Sequence, residues 1–474
     1  MPRIKINETE LTTFATFDAT ENTVLVPLFV SMKGKQPKRY TSLGDFKVDF
    51  PVGEIREAEI EDSQGVYRVT VSGGQVAYWK EEIPAKDSKV KEIVKFDKSY
   101  LMICELLNAG LPVVVKPFYV EGGEFENEDA IVEALNLKII GSASSSDPNS
   151  INGYSEFRDK NLWNIKFITS GAYNNVRSVS STNPGDGGTG DFDVTGAYSV
   201  MRRVAENRGD CISLVEFEKG LPYNSEYVEE SSEEVITLVN ILEKLSNSTG
   251  SINEAAFYPW GIYSTPAAGL SNQMTADMPA CFGYLLAVAN NSLTNANWFA
   301  NSGTIRGRVP NLNSLLCDIG ESAMHYLQHD NEDDVSSTGN QFLVNPIMPV
   351  GVYGIRIWGN RTTKYSELDS YNQFLNVRIL VCDIKKQLYH SSLRITFEPN
   401  DDIAWINFKK LNNTLLDRMQ SGRGIQWYRW SKLITDAKAT LKALLTIKPI
   451  EALEYFDITI SLAEDGSAVV EEVI

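Results

Sequence analysis

The order of apolar and polar positions along the chain predicts strands that alternate with helices over most of its length. Continuous apolar runs at residues 24–32 and 111–120 are typical of strands buried on both faces. Between them, residues 99–110 carry apolar side chains at helical spacing and end on a glycine, which indicates a helix C-terminus. Similar strand and helix signals recur in the segments 162–171, 198–210, 211–220, 231–250, 255–265 and 278–291. This strand–helix–strand order predicts an α/β layer, in which helices cover a sheet.

Residues 51–95 interrupt this pattern with short, charged, alternating segments. Residues 65–84 alternate apolar and polar positions around Gly73 and Gly74, which predicts a β-hairpin that turns at these glycines. We therefore expect residues 51–95 to form a small β insertion in the α/β domain.

The last globular part of the chain predicts two helices followed by strands. Residues 376–390 are expected to form the first helix, and the second follows a turn at residues 397–400. Asn400, Asp401 or Asp402 can cap the second helix, and Gly422 can end it. Segments 441–450 and 454–462 are predicted strands. An apolar stripe is expected along the second helix, at Trp405, Phe408, Leu411, Leu415 and Met419.

Both ends of the chain are short β-prone segments with little to hold them on a core. For residues 1–22, a frayed terminus is one interpretation. The other is that both ends act as arms, because an extended segment can add a strand to the open edge of another subunit's sheet. The positions expected to take part in such pairing between subunits are Ile4, Ile6, Ile458, Ile460, Leu462, Val469 and Val470.

Composition and charge narrow the classes of function. The chain has 62 acidic and 44 basic residues, a net charge of −18, which argues against a nucleic-acid coat or a membrane-surface protein. Its five cysteines are far apart and lack CxxC spacing, as expected for reduced thiols in a protein made in the cytosol. The N-terminus has no apolar core of a secretory signal. The most apolar run, at residues 278–289, is about half the roughly 20 residues that a spanning helix needs.

Several patterns approach a chemical site, but each lacks an essential part. Residues 185–190 spell G-x-G-x-x-G, yet a polar loop precedes them where a nucleotide site needs a strand, so we expect a flexible loop. His325 and His329 have a zinc-binding spacing without the HExxH glutamate or a third ligand. His390 is the remaining histidine, and the chain has no GxSxG elbow and no Walker A loop. We therefore predict no catalytic, cofactor-binding or metal-binding residues, although an unrecognised carboxylate pair stays open.

Local positive charge stands out on the second C-terminal helix of this acidic chain. Lys409, Lys410 and Arg418 are expected opposite the apolar stripe, and Arg423 follows just beyond the helix. The plain interpretation is a solvated helix face. The alternative is a contact surface, for which exposed ion pairs would contribute roughly 0–1 kcal/mol each.

A series of motifs, in a fixed order, resembles the contractile tail sheath proteins of bacteriophages. Residues 13–46, 99–118 and 255–266 are similar to the opening strand, the following helix and strand, and the Tyr-Pro-Trp segment of that family. Residues 278–301 resemble its Pro-rich helix start and Trp loop. The most specific motifs are IWGNRT at 357–362, NVRIL at 376–380 and FEPNDDIAW at 397–405.

The resemblance implies a mixed α/β (α+β) architecture. Residues 23–368 would form an outer α/β domain likened to subtilisin, with the β insertion at 51–95. Residues 369–455 would form a smaller inner α+β domain that faces the tail tube. Residues 1–22 and 456–474 would be strand-exchange arms that add strands to the sheets of neighbouring subunits.

The resemblance also implies the function and the partners. The chain would be a non-enzymatic subunit that polymerises helically around a tail tube protein and contracts to drive the tube through a host envelope. Baseplate and tail terminator proteins would be further partners, without nucleic-acid binding or membrane insertion. The protein would be assembled in the host cytoplasm and located in the virion. Lys409, Lys410, Arg418 and Arg423 are then the expected tube-facing residues.

Other functions stay open at this point. One is the sheath of a phage-derived bacteriocin or injection particle. Another is an α/β hydrolase-like enzyme with an unrecognised carboxylate site, and a carbohydrate-binding surface protein is a third. An enzyme should survive the loss of residues 1–22 and 456–474, whereas a sheath should lose its ability to polymerise.

Overall fold

The computed structural model describes residues 18–61, 65–84, 89–141, 153–175, 196–217, 219, 227–228, 250–320, 324, 327–328, 342–365, 371–433, 440–452, 459–464 and 468–473. Its strands are β1 (Val24–Val30), β2 (Lys38–Tyr40), β3 (Glu54–Glu61), β4 (Val66–Ser72), β5 (Tyr78–Pro84), β6 (Val90–Phe96), β7 (Val113–Tyr119), β8 (Glu124–Phe125), β9 (Phe167–Ile168), β10 (Ile212–Val215), β11 (Tyr227–Val228), β12 (Glu254–Tyr258), β13 (Gly261–Ser264), β14 (Thr275–Met278), β15 (Leu312–Leu315), β16 (Asp318–Ile319), β17 (Asn345–Pro349), β18 (Ile355–Ile357), β19 (Ile425–Leu433), β20 (Lys442–Pro449), β21 (Thr459–Glu464) and β22 (Ala468–Val473). Its α-helices are α1 (Leu43–Asp49), α2 (Lys98–Asn108), α3 (Glu128–Ile140), α4 (Ala197–Arg208), α5 (Ala280–Ser292), α6 (Gly303–Arg306), α7 (Leu375–Ile395) and α8 (Asp402–Ser421).

An eight-stranded sheet with the order β18-β17-β12-β10-β9-β1-β7-β2 forms the centre of the fold. The strands from β17 to β7 run parallel to one another, while β18 and β2 are antiparallel edge strands. Every residue of β1 is buried, as its continuous apolar run predicts.

Helices cover both faces of this sheet because successive side chains of a strand point to opposite faces. Val24, Val26 and Leu28 of β1 belong to the hydrophobic cluster that includes α2 and α5. Leu25 and Phe29 belong to a second cluster, together with α3 and α4. The predicted mixed α/β class is confirmed.

Residues 54–96 contribute four strands to a separate five-stranded sheet with the order β3-β4-β6-β5-β8. The predicted hairpin across Gly73 and Gly74 is wrong, because β6 lies between β4 and β5. β4 is parallel to β6 and antiparallel to β3. Gly74 has a different role from the predicted one: a Cβ there would collide with the backbone of Gly53, so the glycine allows two backbone segments to touch.

The C-terminal elements form a small helix-and-hairpin unit. α7 and α8 are joined by a short turn, and the antiparallel strands β19 and β20 cover α8. Asp401 caps α8 by accepting a hydrogen bond from the Ala404 backbone amide at 2.9 Å, and Gly422 ends the helix, as predicted. The apolar stripe is confirmed in its buried positions, which are Trp405, Leu415 and Met419, while Phe408 and Leu411 are half-buried.

All five cysteines are free and buried, as the prediction of reduced thiols requires. Among the described helices, none combines the length and the apolar character needed to cross a bilayer. Several predicted features lie outside the described residues: the helix at 231–249, the glycine-rich loop at 185–190, His325, His329, Ile4, Ile6 and Ile458.

Candidate functional site

Within the described residues, the β19–β20 hairpin has two open edges. It forms a two-stranded sheet, and no other strand of the described residues pairs with its outer edges. One face packs on the helices through Tyr428 and Trp430, and the Trp430 indole donates a hydrogen bond to Asn413 Oδ1 at 2.9 Å. The other face carries Trp427 and Leu444, which are 44% and 48% exposed. Unpaired N–H and C=O groups along such edges are a template for further strands.

The C-terminal end of the chain forms a second antiparallel pair, β21–β22. Four of the predicted arm residues lie on it: Leu462 is opposite Val470, Ile460 is opposite Glu472, and Val469 is opposite Ala463. The structure therefore pairs these strands within one chain. Pairing of this segment with another subunit stays a prediction.

The two C-terminal segments carry opposite charge. Residues 371–452, which include the helix-and-hairpin unit, contain thirteen Lys and Arg against seven Asp and Glu. Residues 453–474 contain six Asp and Glu and no Lys or Arg. The acidic end of one chain is thus complementary in charge to the helix-and-hairpin unit of another.

The segment just before β1 is the point where the predicted N-terminal arm leaves the body of the protein, and it is held firmly. Ala19 is 4% exposed and packs in the same hydrophobic cluster as α7 and α8. The Thr20 carbonyl accepts hydrogen bonds from Lys166 Nζ at 3.0 Å and from the Asn297 side chain. The Asp18 carbonyl accepts one from Asn164 Nδ2 at 3.1 Å. Residues 18–22 of the predicted arm are therefore docked on the globular part.

The same side chains connect this segment to α7 through buried charges. Lys166 Nζ lies 2.5 Å from Asp383 Oδ1, and both side chains are fully buried. Lys386 Nζ donates a hydrogen bond to Asn164 Oδ1 at 2.9 Å. Burial raises the pKa of the Asp383 carboxyl, whereas burial and the charge of Lys166 lower the pKa of Lys386 to about 8. We call Asn164, Lys166, Asn297, Asp383 and Lys386 the arm-root clamp.

The predicted tube-facing residues are not brought together on one face of α8. Lys409 is half-buried, and its ammonium lies 5.1 Å from the centre of the Trp405 ring. Lys410 is exposed beside a cleft of about 780 Å³, whereas Arg418 borders a different cleft of about 650 Å³ next to Asp18. Lys409 and Arg418 are nine positions apart, which places them about 180° apart around the helix axis. Contact of these residues with a tube stays a prediction.

An apolar surface at the turn between α7 and α8 was not anticipated. Phe397 is fully exposed and has a positive φ of 75°, an unusual backbone conformation for a bulky residue. Ile403 and Ile406 on α8 are 66% and 56% exposed. The sequence contained a signal for this surface, because these three residues are apolar but fall outside the apolar stripe of α8.

The buried carboxylates have structural partners within the fold. Asp97 caps α2 through the Ser99 backbone amide and also accepts from the Phe29 backbone amide, so it ties α2 to β1. Burial raises the pKa of Asp97 to about 6. Glu216 is fully buried and accepts from the Ser170 backbone amide, and burial raises its pKa well above the usual range. Within the described residues, no group of His, Cys, Asp and Glu is arranged to hold a metal ion.

Comparisons with known proteins find similarity in structure. No family model matches the sequence, and no curated protein does. The sheath complex of PVC, an extracellular contractile injection system, in its contracted state superposes with a TM-score of 0.53 at 11% identity, covering 98% of both chains. The contracted helical sheath of the anti-feeding prophage superposes with a TM-score of 0.51 at 13% identity, covering 98% of this chain and 99% of the other. The chain therefore has the fold of contractile sheath proteins, and the expectation drawn from the sequence motifs is confirmed at the level of the fold.

Proposed function

We propose that this chain is the structural subunit of a contractile sheath, which polymerises helically around a tube and acts without catalysis. The single observation that carries the proposal is the fold, because a likeness that covers 98% of the chain includes the peripheral elements as well as the central sheet. The open edges of β19–β20 support it, since they offer a site for joining subunits.

Strand exchange is the proposed way in which subunits are linked. The β19–β20 edges accept the arms of neighbouring copies, through residues 1–17 of the predicted arm 1–22 and through residues 456–474. Each backbone hydrogen bond contributes about 0.5–1.5 kcal/mol net, and the acidic segment 453–474 adds attraction to the basic unit at 371–452. A contact between two different surfaces does not close on itself, so its repetition gives an open helix.

The two domains of each subunit have different proposed roles in the polymer. Residues 23–368 form the outer domain, likened to subtilisin, and residues 369–455 form the inner domain that faces the tube. Lys409, Lys410, Arg418 and Arg423 are proposed tube contacts, with baseplate and terminator proteins at the two ends of the polymer. The extended polymer is metastable and is held by a kinetic barrier until it contracts. Contraction that releases no heat in a calorimeter would contradict this energetic account.

Two biological settings fit the proposal. One is a bacteriophage tail, in which contraction drives the tube through a host envelope during genome delivery and the sheath is part of the virion. The other is an injection particle, and it is favoured by the contractile injection system and anti-feeding prophage sheaths that share the fold. Electron microscopy of particles from the native source separates the two, because a virion carries a DNA-filled head.

The test is negative-stain electron microscopy of the purified chain, alone and co-expressed with its tube protein. Striated hollow cylinders are the expected result. Deletion of residues 1–17 or 456–474 should abolish the cylinders while circular dichroism shows a folded protein. Deleting only residues 1–17 spares Asp18 and Ala19, which are part of the globular packing. Discrete, monodisperse particles from the full chain under both conditions would refute the proposal and favour an enzyme.

A further inference from the structure

Three arginines lie together at one end of the central sheet, and none has an acidic partner among the described residues. They are Arg306, Arg308 and Arg356, which we call the arginine patch. In the described part of the chain, none of them forms an ion pair. This is unusual in a protein whose net charge is −18.

The fold itself forces these charges together. Arg308 and Arg356 are paired directly across a β-bridge, where like charges are unfavourable. Arg356 donates to the Thr304 carbonyl at 3.0 Å, which fixes α6 against β18. Arg306, at the end of α6, donates a hydrogen bond to the Ala300 carbonyl at 2.9 Å. Backbone carbonyls and the Phe299 ring contact Arg306 and Arg356. No carboxylate among the described residues neutralises the patch, so an external acidic group is the natural counterpart.

Exposed apolar side chains accompany the arginine patch. Val352 and Tyr353, in the turn between β17 and β18, are 96% and 55% exposed, and Ile305 on α6 is 85% exposed. Two backbone hydrogen bonds, Val350 N to Gly354 O at 3.0 Å and Tyr353 N to Val350 O at 2.9 Å, hold the turn rigid. Arginine and tyrosine beside rigid apolar side chains are typical of the centres of protein–protein interfaces.

A complementary acidic surface lies at the other end of the same sheet. Glu121 and Glu126, in the connection between β7 and α3, are exposed and form no ion pair with described residues. We call these two residues the acidic corner. β7 and β17 run in the same direction, so the acidic corner and the β17–β18 turn both follow the carboxyl ends of their strands. The two surfaces therefore lie on the carboxyl side of the sheet but far apart along the strand order. Five strand steps separate β17 from β7, a distance of about 24 Å.

We propose that the arginine patch of one copy binds the acidic corner of the next copy, side by side along the strand order of the central sheet. This inference rests on the proposed function, since it assigns a second contact to the same polymer, independent of the arms. The two surfaces differ and lie at opposite ends of one rigid sheet. Their contact is therefore heterologous, and repeating it extends the assembly without closing it.

The test reverses each surface separately and then mixes the two variants. The patch variant is Arg306→Glu/Arg308→Glu, which leaves the proposed tube contacts unchanged. The corner variant is Glu121→Arg/Glu126→Arg, and Arg203→Glu, on the exposed side of α4, is the matched control. The experiment uses full-length chains, the conditions in which the wild type forms cylinders, and thermal melting by circular dichroism to verify folding. Each reversal variant alone is expected to need about tenfold more protein, or higher, before polymers sediment. The control should behave like the wild type.

An equimolar mixture of the two variants should assemble like the wild type, because each altered surface then meets a partner of opposite charge. Normal assembly of either folded reversal variant alone would overturn the inference, and so would a mixture that fails to recover. Failure of the wild type itself to polymerise would instead refute the proposed function. The two failures are therefore distinguishable.

Discussion

The buried Lys166–Asp383 pair of the arm-root clamp allows a quantitative test of how the N-terminal segment is held to α7. Replacing Lys166 with methionine leaves a fully buried carboxylate without its nearest cation, 2.5 Å away, and removes a donor from the Thr20 carbonyl. Breaking a buried pair on one side costs about 3–5 kcal/mol of unfolding free energy. Asp383→Leu should cost more than Lys166→Met, because it leaves Lys166 buried without its carboxylate and removes one of the two carboxylates, Asp210 and Asp383, that act on buried Lys386.

The assay is urea denaturation at pH 7, followed by tryptophan fluorescence, on both single variants and the double variant Lys166→Met/Asp383→Leu. Removing both charges should recover most of the lost stability, to within about 2 kcal/mol of the wild type, since apolar replacement of a buried pair is often close to neutral. Lys432→Met, which breaks an exposed ion pair with Asp402, should leave the midpoint unchanged. A Lys166→Met variant with an unchanged unfolding free energy would refute the reasoning. So would a double variant whose loss of unfolding free energy equals the sum of the two single losses.

Three further outcomes can be measured with the same assay. Because burial lowers the pKa of Lys386 to about 8, the folded state binds fewer protons than the unfolded state above that pH. The lowered pKa of Lys386 should therefore raise the unfolding free energy by up to about 3 kcal/mol between pH 8 and pH 10.5. A Lys386→Met variant whose unfolding free energy keeps the full dependence on pH would contradict this. Asp401→Ala removes the cap of α8 and should cost about 1 kcal/mol, whereas Asp402→Ala should have little effect, and equal losses for both would argue against the cap. Met419→Ala, at a fully buried position, should cost about 2–5 kcal/mol, and a loss below about 1 kcal/mol would mean that the surrounding cluster collapses into the space.

Local features could be predicted because neighbouring residues in the sequence decide them. The cap at Asp401, the end of α8 at Gly422 and the buried stripe at Trp405, Leu415 and Met419 depend on spacing and on side-chain chemistry within one helix. The buried runs of β1 and β7 were equally readable, since a strand covered on both faces is apolar throughout.

Such local patterns do not predict the order of the strands in a sheet. Residues 65–84 read as a hairpin because Gly73 and Gly74 follow one alternating segment and precede another, yet β6, from further along the chain, lies between the two strands. The glycine at 74 instead allows close approach to Gly53, which alternation alone does not reveal.

The sequence by itself determined many of the elements of this protein, the apolar faces of those elements, its acidity and the motifs that resemble contractile sheath proteins. Only the tertiary structure decided which charges meet. It buried Lys166 against Asp383 and set Arg308 opposite Arg356. The physical reason is that helical and strand periodicity act over a few residues. Burial and ion pairing, in contrast, depend on contacts between segments that are far apart in the chain.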